Sequence, residues 1–188
     1  PDSALTVLEG MSRDVLRTER QRAHHALLYA MALDKNYIDV SEDSIASVAV
    51  NYYSRKGPMK YRARAYYYLG LAYYYQQDYD RAILEFTKAE KAAEVSDSLY
   101  LGMTKSIQGH SYYETHNLEE VLNCFHKAYD IYSALSEYSK ACSVMYKLIS
   151  TYIAKLEFEK AEEMLLDLLD NNELRGNLRL RTLALYAY

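Results

Sequence analysis

The sequence predicts an all-α protein, an α-solenoid of antiparallel helix pairs. Three observations carry this. Residues Ala63–Ala89, ARAYYYLGLAYYYQQDYDRAILEFTKA, place Tyr66, Leu69, Gly70 and Tyr73, then Ala82, Phe86 and Ala89, at helical spacing in two successive runs. The pattern recurs, because Gly109 and Phe125 each follow Gly70 and Phe86 by 39 residues. Only six glycines and two prolines occur in 188 residues, which suits long helices joined by short turns.

Taken in order, Asp2 and Ser3 are placed to cap a short helix over Ala4–Gly10. A second helix is expected over Ser12–Asp34, with a charge mosaic in its first half (Arg13, Asp14, Arg17, Glu19, Arg20, Arg22) and an apolar second half, Ala26–Leu33. Asn36–Ser41 reads as a loop, Ser41-Glu42-Asp43 starts a helix to about Tyr53, and Gly57-Pro58 ends that unit. In the hairpin that follows, Gln76, Gln77 and Asp78 make the turn, and Asp78 is suited to cap the second helix. Gly70 and Ala82 are small enough for close backbone approach, with Tyr66, Tyr73 and Phe86 filling the space around them. Further pairs are expected over 97–115 with 118–134 and over 137–155 with 158–170. Asn117 with Glu120 gives the first of these a capping-box-like start. Asn171-Asn172 suits a helix end, and Leu178–Tyr188 would begin a fourth unit. One domain therefore spans 1–188: a divergent cap and helix pair (1–58), regular units at 63–95, 97–135 and 137–171, and a lone first helix at 174–188.

The organising hairpin resembles the tetratricopeptide repeat, with its W-x2-L-G-x2-Y and A-x3-F signature. Gly109, Tyr112, Val121, Phe125 and Ala128 stand in the places of Gly70, Tyr73, Ala82, Phe86 and Ala89, and Leu148, Ile149, Tyr152, Ala161, Leu165 and Leu168 form a third copy. Tyr66 replaces the family's Trp, while Lys105 and Ile149 depart from its aromatic and its glycine. The period exceeds the family's roughly 34 residues, which assigns the extra ones to longer helices or to connectors near Glu94–Ser98 and Ala134–Tyr138. The resemblance implies a right-handed superhelix whose first helices line a concave groove. Ala26–Gly57 and Ala65–Gly70 also resemble the start of a group of bacterial tetratricopeptide proteins that carry an export signal or lipid anchor, the repeats, a membrane helix and a cytoplasmic signalling or DNA-binding part. That resemblance implies an envelope-facing sensor or interaction domain, periplasmic or envelope-associated; without it, the location expected is cytoplasmic.

A net charge of −4 with both signs interspersed carries no footprint for nucleic acid. The longest apolar run, Ala26–Leu33, is eight residues, against the roughly 20 a membrane span needs, so direct membrane insertion is not expected. An opening at Pro1 and a stop at Tyr188 within an unpaired helix read as a trimmed fragment, with the exposed final helix a candidate surface for self-association. Twenty-two tyrosines, three phenylalanines and no tryptophan set the chain apart; their rings pack as hydrophobes while their hydroxyls seek water or a partner.

Reactive constellations are missing. No Gly-rich phosphate loop, nucleophile elbow or His-Glu-x-x-His pair is present, and the adjacent His24 and His25 point about 100° apart on a helix. His110, His116 and His126 have no carboxylate or thiolate at ligand spacing, so no metal and no cofactor is expected. Cys124 and Cys142 read as small buried thiols, or as a disulfide if the domain is exported. The acidic pairs at 119–120 and 162–163 suit helix starts. No catalysis is therefore expected. The function expected is recognition of a protein or peptide. Carried over from the repeat family, the groove positions are Arg64, Tyr67, Leu71 and Tyr74; Met103, Ser106, His110 and Tyr113; and Tyr146, Ser150 and Ile153. In each tyrosine triplet, one ring would pack and another face the groove. Glycan capture by stacked tyrosines is the alternative, although the predicted groove holds few amides or carboxylates.

Overall fold

The computed structural model describes residues 2–170, with α-helices and no strand among them. After α1 (Asp2–Glu9) and a 3-10 turn at Arg13–Val15 come α2 (Glu19–Lys35), α3 (Asp43–Tyr53), α4 (Met59–Tyr75) and α5 (Tyr79–Ala93). Then follow α6 (Ser98–Glu114), α7 (Leu118–Ala134), α8 (Tyr138–Ala154) and α9 (Phe158–Asp170). The expected helices at 174–188 and the helix end at Asn171-Asn172 lie outside the described residues. The chain divides into two compact units, Pro1–Tyr100 and Leu101–Tyr188, so that α6 begins in the first and runs on in the second.

One expectation is corrected near the start. The helix foreseen over Ser12–Asp34 is broken, because Thr18 caps α2 with a full capping box. Its hydroxyl accepts from the Gln21 amide at 3.1 Å, and Gln21 Oε1 accepts from the Thr18 amide at 2.9 Å. These two bonds satisfy donors that a continuous helix would have used within itself.

In the first unit, α4 and α5 pack most closely at Gly70. A Cβ there would meet the Phe86 ring at 2.6 Å, and Phe86 is wholly buried. Bare backbone on one helix thus seats an aromatic ring from its neighbour, and Ala63, Ala72, Ala82, Ala89 and Ala93 of the same two helices are buried. The second unit repeats the device twice along one helix. Gly109 accepts Phe125 at 2.6 Å and Gly102 accepts Tyr132 at 2.8 Å, so α6 and α7 are gripped at two points two turns apart.

The turns follow one rule. Gln77, His116 and Leu156 end α4, α6 and α8 in the left-handed region, with φ of 62°, 61° and 60°. The next amides, of Asp78, Asn117 and Glu157, then return to the carbonyls of Tyr73, Tyr112 and Tyr152, each at 2.9 Å. This is the Schellman closure of a helix end. Asp78 caps α5 as expected, accepting from the Arg81 amide at 3.1 Å. Asn117 caps α7, while Glu120 accepts from Asn123 instead of reaching back to complete a box. Turns of three or four residues leave the residues beyond the family's period to the helices themselves, which run 15 to 17 residues from α4 to α8.

Candidate protein-binding faces

In the first unit, the four predicted positions on α4 fare differently. Tyr67 and Leu71 are enclosed, at 6% and 3% exposure. The Tyr67 ring meets Tyr68 and Tyr100 edge-on, with centroids 5.1 and 5.4 Å away, and tilts over Phe86 at 6.1 Å. Arg64 is engaged: its Nη2 donates to Asp97 Oδ2 at 2.7 Å, and its guanidinium lies 4.5 Å from the Tyr100 ring centroid. Tyr74 is half-buried between Tyr75 and Tyr79. The triplets therefore sort otherwise than expected. In the first, Tyr67 and Tyr68 both pack, and Tyr66 lies half-exposed beneath Lys88. In the second, Tyr75 is the exposed ring.

Behind Tyr67 runs a buried polar chain that single-residue periodicity does not disclose. The Tyr68 hydroxyl donates to Asp34 Oδ2 at 3.2 Å, and with its proton so committed it accepts from the Tyr100 hydroxyl, also at 3.2 Å. Burial raises the pKa of both phenols, Tyr68 the more strongly, and raises Asp34 against the opposing pull of the Tyr68 bond.

The second unit presents a more open face. On α6, Met103, Ser106 and His110 are half-buried and Tyr113 is exposed; on α8, Tyr146 is half-buried while Ser150 and Ile153 are exposed. These side chains lie beside fully buried neighbours, Thr104 and Ser111 on α6 and Leu148 and Ile149 on α8. The structure brings His110 together with a residue that the sequence reading passed over, Lys147. The lysine donates to His110 Nε2, and its Nζ stands 5.8 Å from the Phe125 ring centroid. Burial holds the Lys147 amine down to about 8; burial and the neighbouring ammonium hold the His110 imidazole down to about 4. No carboxylate pairs with Lys147 among the described residues. A signal was present, since Lys147 breaks an otherwise apolar run next to Tyr146. What hid it was the 37-residue separation from its partner.

Three further histidines bond groups on other helices. His24 bonds the Tyr53 hydroxyl, His25 the Leu8 carbonyl and His126 the Tyr152 hydroxyl. A cavity of about 800 Å³ lies against this first pair, walled by Leu8, Leu16, Leu28, Tyr53 and Tyr61. Cys124 and Cys142 are buried, and Cys124 Sγ lies 3.7 Å from Gln108 Oε1. Among the described residues no group of three or more His, Cys, Asp or Glu is arranged to hold a metal ion, and no helix is long and apolar enough to cross a membrane.

Comparison with known proteins agrees with this architecture. Residues 63–94 match the family model for the tetratricopeptide repeat. Among solved structures, the nearly identical TPR-like repeats of a Podosopora anserina protein assigned as a kinesin light chain superpose with a TM-score of 0.67 at 15% identity, over 95% of this chain and 88% of that one. BtubC (BKLC) from P. vanneervenii superposes with a TM-score of 0.70 at 15% identity, over 95% of this chain and 72% of that one. No curated protein sequence matches. The stretch 63–94 is thus a tetratricopeptide repeat, set in an all-α helical-repeat solenoid of TPR-like fold. Repeats of this kind serve as scaffolds for protein–protein interaction and are typically non-catalytic.

Proposed function

We propose that the chain is a non-catalytic scaffold that holds an extended peptide segment of a partner protein on its first-helix faces. The observation that carries this reading is the α6–α8 face. Tyr113 and Ile153 lie 48% and 38% exposed beside Tyr146, Ser106 and Ser150. Aromatic and aliphatic anchors with interspersed hydroxyls suit a peptide's side chains and backbone. A glycan site would place several amides or carboxylates beside its aromatic platform, and these predicted positions hold none.

Titration of the wild-type chain and a Tyr113→Ala/Ile153→Ala variant against extended peptides and soluble glycans tests this. Both side chains are exposed, so the variant's melting temperature is expected to hold. Peptide binding weakened at least tenfold in the variant supports the proposal. Glycan binding with the same loss would replace it with the glycan reading, and binding to neither panel would overturn it.

The resemblance of Ala26–Gly70 extends the reading to the sensing part of a larger bacterial signalling protein. Deleting residues 1–188 from that protein is then expected to abolish its response to the partner; unchanged output would sink the extension.

A further inference from the structure

Among the described residues, Lys147 is a half-buried amine set against an imidazole, with no ion-paired acid beside it. Every element around it leaves it so. From α6 the group that faces it is His110, which accepts its proton at Nε2. From α7 it meets the Phe125 ring. Glu119 of α7 and Glu157 pair with Lys155, and Lys160 pairs with Glu157 over the Tyr152 ring. With no carboxylate to pair it, the amine is held partly out of water, and that burial disfavours its charged form. Desolvated lysines in such settings are the nucleophilic ones.

We propose that Lys147 is an acylation site for acyl phosphates, with His110 as the proton acceptor. The free amine's lone pair attacks the acyl carbon, the N–C bond forms, and the C–O bond to phosphate breaks with its electron pair leaving on phosphate. The surplus proton of the amine passes to His110 Nε2 and then to solvent. Loss of the ammonium favours this transfer, since that charge is one of the two causes depressing His110. The product is a neutral amide beside Tyr146 and Ser150, so acylation removes a positive charge from the edge of the α6–α8 face. The chemistry stands independently of whether that face binds a peptide.

Acetyl phosphate is the probe, applied to the whole chain from pH 6.5 to 10, with acetylation followed at each lysine by mass spectrometry. At pH 7.5 Lys147 is expected to react about tenfold or more faster than the exposed Lys56 and Lys127. Its rate should level off above pH about 8. His110→Phe keeps the ring and removes the base; burial still lowers the amine, so Lys147 should react more slowly than in the wild type while its rate still levels off above pH about 8. Equal rates at all three lysines, or a Lys147 profile still rising at pH 10, would overturn the proposal in the wild-type chain alone, whatever the variant's stability.

Discussion

At the scale of single residues, the molecule is governed by where its phenol groups end. A tyrosine ring packs as readily as phenylalanine, but its hydroxyl must be satisfied when it is buried. Tyr68 meets that demand by donating to Asp34, which places a carboxyl in a half-dry position and raises its pKa. A folded-state pKa above the unfolded value means that folding favours the protonated acid. The stabilising contribution is therefore complete at acid pH, below the unfolded pKa, and is lost as pH rises through the raised one. Asp34→Asn keeps an acceptor for Tyr68 without the charge. It is expected to leave melting at pH 4 unchanged and to raise the melting temperature at pH 7.5 by a few degrees, as followed by circular dichroism. A variant that melts lower at pH 7.5 would show that the carboxylate is needed in its charged form. The same residues mark a limit of reading from sequence. Periodicity placed Tyr67 in the groove because its spacing from Tyr74 defines one helix face, but a face carries no record of what covers it. Tyr100, 32 residues past Tyr68, belongs to the cover and could not be foreseen.

At the scale of elements, much of the fold was legible because small local rules decide it. Gly70 and Phe86 stand in one hairpin, so their 16-residue spacing already implies the nest that the structure contains. Asp78 and Asn117 fix the starts of α5 and α7 through hydrogen bonds three residues long. Where legibility failed, two local rules competed. The charge mosaic before Ala23 is compatible with a helix from Ser12. The Thr18–Gln21 capping box is compatible with a fresh start, and it prevails because it satisfies two orphan amide groups at once. The left-handed turn residues were equally hidden. Gln77, His116 and Leu156 hold a conformation that favours glycine or asparagine. The closing bonds to Tyr73, Tyr112 and Tyr152 sustain it in their stead. The candidate site fared less well than the helices. Tyr113, Ser150 and Ile153 are exposed, whereas Tyr67 and Leu71 are covered, and Lys147 came to light only with the contact between α6 and α8.

At the scale of the whole molecule, a repeat protein is held together by a succession of similar local seams, and its stability is approximately a sum over repeats and nearest neighbours. The two glycine–phenylalanine nests offer a matched pair of probes, because Gly70 and Gly109 sit in different compact units and a Cβ at either would meet its ring at the same 2.6 Å. Alanine at either site forces a buried ring to move. Overpacking of this kind costs about 1–3 kcal/mol, and the better helix propensity of alanine returns about 1 kcal/mol of it. Each single variant is thus expected to lose up to about 2 kcal/mol by balancing these two effects. The loss should be spatially confined. Gly70→Ala should speed amide exchange chiefly in α4 and α5, and Gly109→Ala chiefly in α6 and α7, as read by hydrogen–deuterium exchange with mass spectrometry. Pairing Gly70→Ala with Phe86→Leu, which vacates part of the ring's volume, should recover some of the lost protection if the nest is the cause. Equal acceleration throughout residues 2–170 from either variant would instead mean that the chain opens as one cooperative body. Local seams would then set its shape but not its unfolding.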